Sequence, residues 1–433
     1  MSKKQVRIGL LGFGTVGGAL IELIEKQHPN IEERTGVELI VTKIAVRDLA
    51  KQRAVAVESA MLTTDPMEVV ESDYVDVVVE LMGGIDPARE LLVKALTLGK
   101  PVVTGNKALV AAHGAELFNA AREGQPTSFL FEASVAGGIP LMRVLEQSLR
   151  GEPLNRVMGI LNGTTNYILT QMTENGATYA DALQEAQNLG YAEADPTADV
   201  EGIDAGSKAA IIATVTMPGS VRGDDVSIEG ISSITAADIA AADRMGFVIK
   251  LLAIIERLPA ESGEDEVAVR VHPAMVPKSH PLANVNDSFN AVFIEGEAVG
   301  ELMLYGRGAG GFPTASAVLG DIISAALSVG DEHAPVRPEL QPAKLRSSAE
   351  LMSASYLELV VSDNPGVLSE VASVFGAHNV SIKSMDQHGS GEEAVVIFIT
   401  HEAREADMMS CVEKLTDLDC VQRVGARIRV IGE

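Results

Sequence analysis

Tryptophan is absent from the 433 residues, cysteine occurs twice, and aromatic side chains make up only 4% of the chain. Cys411 and Cys420 are too few for a disulfide framework and too far apart for a CxxC metal knuckle, and they suit a reducing compartment. Positive charge is also scarce: 34 Lys and Arg against 60 Asp and Glu leave a net charge of −26. Phosphate backbones and anionic lipid repel such a chain, so the charge argues against nucleic-acid and membrane partners. No apolar run reaches the ~18 residues that a spanning helix needs. The opening MSKKQVRIGLLGFG lacks the pattern of a cleavable signal, and the expected location is cytoplasmic. The eight histidines form no HxH or HxxxH pair, and no GxSxG nucleophile elbow occurs.

Hydrophobic residues, at 46%, exclude wholesale disorder, and 40 glycines suit a loop-rich α/β protein. Strand-like runs at Val6–Leu11, Glu38–Val46, Val75–Leu81 and Pro101–Thr104 alternate with helical spacing at Val16–Arg34 and Pro87–Leu98. That alternation predicts a Rossmann-type, doubly wound parallel sheet. From about 134 to 309 the texture becomes mixed, with helices expected at Ile139–Arg150, Tyr179–Leu189, Gly206–Thr216 and Ala236–Glu256. Strands are expected at Val157–Leu161, Val267–Val271, Ala291–Glu295 and Ala298–Leu304, and a further helix at Thr314–Ser328. The end of the chain has the order βαββαβ of a ferredoxin-like fold. The expected division is 1–133 with a return at about 310–335, an inserted α+β catalytic and dimerisation domain at 134–309, a linker at 336–352 bearing Pro338 and Pro342, and a module at 353–433. Pro335 precedes that linker.

Gly12-Phe13-Gly14-Thr15-Val16-Gly17 follows a strand and opens a helix, the setting that a dinucleotide fingerprint requires. Gly12 suits a tight turn, Gly14 a close pyrophosphate, and Gly17 close helix–strand packing. The second strand ends on Arg47, with Lys51 and Arg53 nearby, rather than on the carboxylate usual for NAD. A guanidinium there favours NADP, with NAD as the alternative; a solvated basic turn is the plainer reading.

Lys107, in Thr104-Gly105-Asn106-Lys107, lies just past a strand's carboxyl end, although alone it reads as a surface lysine. The segment Tyr191–Lys208 carries carboxylates at Glu193, Asp195, Asp199, Glu201 and Asp204 ahead of a single cation, Lys208. Asp204 and Lys208, four apart, share a helix face, either as a routine ion pair or as a catalytic couple. Carbonyl reduction needs a proton donor, and a lysine serves if burial or a second cation such as Lys107 opposes the carboxylates around it. Gly163-Thr164 offers backbone N–H groups to a substrate carboxylate or simply makes a turn. The small-residue loop 132–140 has carbonyls that could hold a monovalent cation.

The stretches IGLLGFGTVG (8–17), VTGNKALV (103–110), FEASVAGGIP (131–140), ILNGTTNYIL (160–169), YAEADPTADVEGIDAGSKAAI (191–211) and GRGAGGFPTASAV (306–318) resemble those of homoserine dehydrogenases. DNPGVL (363–368) and NVSIKSMDQ (379–387) resemble an ACT domain. The resemblance implies NAD(P)-dependent interconversion of L-aspartate 4-semialdehyde and L-homoserine, toward threonine and methionine. It implies Lys208 as proton donor, Lys107 at the reacting oxygen and the nicotinamide, and Asp204 as orienter. Glu193 and Asp199 would hold the amino acid, with Gly163 and Thr164 near its carboxylate. Glu132, Val135, Gly137 and Ile139 resemble a sodium site, and Thr104, Gly308 and Gly310 would complete the cofactor site. Asn364, Gly366, Val367, Leu368, Asn379 and Ile382 would line an effector pocket, expected to take L-threonine, in a homodimer or homotetramer. A Rossmann-based sensor without catalysis and a different semialdehyde reductase are the competing readings; the former does not account for Lys107, Asp204 and Lys208. The dehydrogenase half of a fused aspartate kinase is disfavoured by the fingerprint's place near residue 1.

Overall fold

A computed structural model describes residues 4–123, 125–259, 263–330, 339–389, 391 and 393–432. The chain divides into two compact units. Met1–Leu154, Ser207–Val226 and Gly296–Ala343 form the first; Asn155–Gly206, Ser227–Glu295 and Lys344–Glu433 form the second.

In the first unit, strands Leu62–Thr63, Val37–Ala45, Lys4–Leu11, Val77–Glu80, Val102–Thr104 and Phe129–Leu130 lie side by side in that order, all parallel. In chain order this is 3-2-1-4-5-6, the Rossmann arrangement. Val6, Ile8, Leu10, Val77 and Val79 are buried, as continuous apolar runs require when helices cover both faces. Helices Thr15–Thr35 and Gly311–Ser328 pack together in one core cluster with these strands. Gly311–Ser328 is the one described helix long and apolar enough to cross a bilayer by length and composition, a feature that counting uninterrupted apolar runs missed. Here Ala315, Val318, Ile322 and Ala325 bury it against the sheet, and Asp321 lies within it. The helix expected over Ile139–Arg150 is a short turn, Leu141–Arg143, that widens into a π-turn at Val144–Ser148.

The second unit is built on a mixed sheet in the order Phe289–Gly296, Leu154–Ile160, Phe247–Leu258, Glu266–Pro277, Val421–Val430, Met352–Ser362, Glu393–Thr400 and Ile382–His388. The helix expected over Ala236–Glu256 is corrected here. It stops at Arg244, and Phe247–Leu258 is a strand paired antiparallel with Glu266–Pro277. Gly246, at φ 84, ends the helical path, and the apolar run after it fits either period until a partner strand decides.

The last four long strands, with helices Val367–Ala377 and Glu405–Thr416, make the βαββαβ unit around a core of Leu357, Leu359, Val371, Phe375, Val396 and Phe398. Its final strand also continues the larger sheet: Ala274 pairs with Arg429, Met275 with Val430, and Ile431 N donates to Met275 O at 3.0 Å. The approach to it is laid down rather than slack. Ser220 N donates to Gln341 O and Ala343 N to Ser220 O, while Val267 N donates to Lys344 O and Arg346 N to Val267 O. Pro335 and Pro338 lie outside the described residues.

Glu405, buried at the start of the last helix, accepts from Arg427 Nη1 (2.9 Å) and from Arg429 Nε (2.8 Å) and Nη2 (2.9 Å). Arg429 Nη2 also donates to Glu229 at 2.8 Å. Burial pushes the Glu405 carboxyl up, but the two guanidinium groups prevail and hold it at about 2. A depressed carboxylate stabilises the fold above its unfolded value, and the contribution fades as pH falls through the folded one. Glu405→Gln should therefore remove about 3 kcal/mol at neutral pH, the scale of such a shift. In denaturant titrations, the gap to wild type should be widest above pH 4.5 and close progressively toward pH 2.

Candidate active site

The glycine fingerprint has the form that phosphate binding requires. Gly12 is at φ 103, and a Cβ there would stand 2.7 Å from Leu81 O. A Cβ at Gly17 would stand 2.6 Å from Gly12 O, so both positions need glycine for the chain to fold tightly. Gly14 differs: a Cβ there would meet nothing within 4 Å. It caps helix Thr15–Thr35, whose first turn has no acidic side chain and whose first N–H groups meet no acceptor among the described residues, so open space faces a positive dipole end. The residues present fit a dinucleotide pyrophosphate.

The neighbouring strand ends are cross-braced. Glu80, fully buried, accepts from Met82 N (2.7 Å), Gly83 N (3.0 Å) and Thr104 Oγ1 (2.6 Å). Thr104 Oγ1 in turn accepts from Asn106 N at 3.0 Å. Asn106 donates to Gly84 O and accepts from Leu109 N, which places Lys107, exposed, at the first position of helix Lys107–Glu123. Arg47 is exposed just beyond strand Val37–Ala45. Arg53 is fastened, donating to Lys51 O and Asp48 O, with its guanidinium 5.5 Å from the Phe13 ring centroid.

Two segments singled out separately in the sequence interlock. A Cβ on Gly137 would stand 2.3 Å from Gly308 O, and Gly138 N donates to Arg307 O at 3.0 Å. Ala136 and Gly137 are both left-handed, at φ 57 and φ 55, and Gly310 caps helix Gly311–Ser328 at φ 126. The Glu132 carboxylate accepts from Met142 N and Arg143 N, while Glu132 N donates to Asp321 Oδ2 at 2.8 Å. Burial raises the Glu132 carboxyl and pushes Asp321 up to about 7. Ile139 O accepts from Leu141 N, whereas no donor among the described residues meets the Val135 and Gly137 carbonyls. Neutral carbonyls held in this way fit a hard monovalent cation. No cluster of three His, Cys, Asp or Glu suited to a metal occurs among the described residues.

In the second unit, Asp199 and Asp204 meet at one side chain. Asn162 Nδ2 donates to Asp199 Oδ1 (2.7 Å) and to Asp204 Oδ2 (3.0 Å). Asp204 and Lys208 lie four apart on helix Ile203–Thr216, and both are buried. Asn162 also caps helix Gly163–Asn175. In that helix's first turn, no acceptor among the described residues meets the N–H of Gly163 or Thr164, and Thr164 Oγ1 donates to Tyr191 O at 2.7 Å. Gly163 is also needed for packing, because a Cβ there would stand 2.7 Å from Ser288 O. Behind it, Lys250 donates to Val285 O and to the side-chain oxygens of Asn166 and Asn286; burial lowers its pKa to about 8. Glu193 is exposed. Asp195 bonds to Thr197 instead, accepting from its N–H and hydroxyl.

Residues 12–130 match the homoserine dehydrogenase NAD-binding domain, 140–323 the homoserine dehydrogenase family, and 355–417 the ACT domain. The chain is 48% identical over 426 residues to a homoserine dehydrogenase of Corynebacterium glutamicum, covering 98% of this chain and 95% of that protein. The chain belongs to the homoserine dehydrogenase family. The crystal structure of the Thiobacillus denitrificans homoserine dehydrogenase superposes with TM-score 0.93 at 39% identity, covering 99% of each chain. A hyperthermophilic archaeal homoserine dehydrogenase in complex with NADPH gives TM-score 0.62 at 31% identity, covering 78% of this chain and all of that one. As a member of that family, the chain is an NAD(P)-dependent oxidoreductase with a Rossmann-type domain, a mixed-sheet catalytic domain and a C-terminal ACT domain.

Around the ACT helix Val367–Ala377, Gly366 caps the first turn at φ 98, and Val367 N donates to Asn364 O. Asn379, at φ 56, and Ile382 lie in and after the turn that follows the helix, and Val367 is buried beside the half-buried Leu368. Sequence reasoning missed Asn162 and Asp321, whose partners are remote in the chain, and Glu80, which joins its own loop to the next strand end at Thr104. The one local signal at Asn162 is an asparagine ahead of a helix start, a residue type suited to a cap.

The open side of Gly14 yields a direct test. Gly14→Ala should unfold at the wild-type temperature yet bind the reduced dinucleotide at least about tenfold more weakly by fluorescence titration, since an alanine methyl there meets no protein atom and takes space that the phosphates would need.

Proposed function

We propose that this chain reversibly reduces L-aspartate 4-semialdehyde to L-homoserine with NADP(H), on the route to threonine and methionine. The observation that carries the reading is the burial of Asp204 and Lys208, one helical turn apart on one helix, with Asp204 and Asp199 sharing the amide of Asn162. When bound, NADPH supplies the hydride that reaches the aldehyde carbon. Lys208 donates the proton to the developing alkoxide, and Asp204 keeps the ammonium aimed at that oxygen. Lys107 assists at the reacting oxygen and contacts the nicotinamide end of the cofactor. Glu193 and Asp199 accept from the substrate ammonium, and the N–H groups of Gly163 and Thr164, which meet no acceptor among the described residues, accommodate its carboxylate.

The residues of Gly12–Gly17, with Thr104, Gly308 and Gly310, hold the dinucleotide. Arg47 contacts the 2′-phosphate, a preference that the NADPH bound by the archaeal relative supports. Carbonyls of the Glu132–Ile139 loop, chiefly those of Val135 and Gly137, hold a sodium ion, with Glu132 and Ile139 flanking them. The working division is a cofactor domain at 1–133 with a return at about 310–335, a catalytic and oligomerising domain at 134–309, a linker at 336–352, and a regulatory module at 353–433. The matches at 12–130, 140–323 and 355–417 support that division. Asn364, Gly366, Val367, Leu368, Asn379 and Ile382 receive L-threonine in a homodimer or homotetramer that works in the cytoplasm. Inhibition then follows only if threonine binds one of two arrangements better than the other.

Lys208→Ala should lower turnover by roughly two or more orders of magnitude with NADPH affinity kept, the scale of general acid catalysis; turnover near wild type would sink the assignment. Steady-state oxidation of homoserine with each dinucleotide should favour NADP over NAD and slow on adding threonine. A preference for NAD overturns the Arg47 reading, and indifference to threonine overturns the effector reading.

A further inference from the structure

Asn162 makes more bonds than a helix cap needs. Its Oδ1 accepts from Thr165 N (2.9 Å) and from Thr165 Oγ1 (3.0 Å), which satisfies the first turn of helix Gly163–Asn175. Serine, threonine or aspartate would meet that need as well. Only the amide also presents two protons on its other side, and the cap fixes its orientation: with the oxygen committed to Thr165, the nitrogen points away from the helix. There it donates to Asp199 Oδ1 at 2.7 Å and to Asp204 Oδ2 at 3.0 Å. The side chain is buried, with 5% of the residue exposed, so water does not substitute for these bonds.

The two carboxylates come from different elements, Asp199 from the turn Thr197–Val200 and Asp204 from helix Ile203–Thr216. Both sit within hydrogen-bond reach of one nitrogen, where like charges repel each other unless donors compensate. An aspartate at position 162 would cap the helix equally well and add a third negative charge. We propose that Asn162 is a positioning residue of the reaction, its amide holding Asp199 and Asp204 in the spacing that the amino-acid substrate and Lys208 require. This rests on the roles given above to Asp199, Asp204 and Lys208.

The test uses the full-length enzyme carrying Asn162→Ser or Asn162→Asp, with Asp204→Asn as comparator. Serine and aspartate both keep the cap, so a purely structural role leaves homoserine oxidation at the wild-type level in both variants. The positioning role predicts that each lowers kcat/KM for homoserine roughly 10- to 100-fold, the effect of a small misplacement at a reacting centre. The loss should fall on both kcat and the homoserine KM, with the dissociation constant for NADPH and the unfolding temperature unchanged. Wild-type kcat/KM in either variant alongside an impaired Asp204→Asn overturns the proposal while leaving the catalytic reading intact. Wild-type activity in Asp204→Asn overturns that reading itself. Failure of both Asn162 variants to fold also overturns the proposal, because it assigns the residue to stability.

Discussion

A carboxylate taken out of water must be met by donors, and much of this protein follows from where those donors lie. Glu80 takes them from the loop after its own strand and from the next strand end. Glu132 takes them from the turn at Met142 and Arg143, and Asp321 from Glu132 N and Arg143. Each of these carboxylates fixes a loop by consuming its backbone N–H groups, and those loops border the cofactor fingerprint or the small-residue turn. At Glu405 the donors are guanidinium groups, and the result is a clamp within the sheet. At Asp199 and Asp204 a neutral amide, that of Asn162, donates to both carboxylates.

That difference also explains what could be read in advance. The parallel sheet, the glycine fingerprint, the positions of Lys107, Asp204 and Lys208 and the βαββαβ order follow from local pattern. Buried runs, turn residues and helical spacing act within a few positions of one another. Phe247–Leu258 failed that test because FVIKLLAIIERL satisfies helical and extended spacing alike, and Glu266–Pro277 decided between them from across the sheet. Asn162 passes unmarked in the sequence and is both a cap and a bridge in the fold. Its partners lie 37 and 42 residues away, and nothing local to NGTTN announces them. Asp321 is harder still, since its partner Glu132 is 189 positions distant.

The C-terminal module is less separate than its proline-bearing approach suggested. Its last strand shares backbone pairing with Ala274 and Met275, and Arg429 on that strand reaches Glu229, beside the strand that pairs with Arg270 and Val271. Glu229 in turn precedes Gly230, where a Cβ would stand 2.6 Å from Val200 O, and Ile231 N donates to Val200 O at 2.8 Å. Val200 follows Asp199 directly. The module is thus joined by hydrogen bonds and close packing to the segment that carries a candidate substrate carboxylate.

The interlock of Gly137 with Gly308 has a consequence for how the chain is made. The left-handed turn at Ala136 and Gly137 rests against backbone that is synthesised only after the intervening catalytic segment. On a ribosome adding ~5–20 residues per second, that interval lasts on the order of ten seconds or more. Until then the nascent nucleotide-binding sheet lacks both the lock on this loop and the covering helix Gly311–Ser328. The apolar face that this helix later buries is the surface a chaperone would have reason to guard during translation.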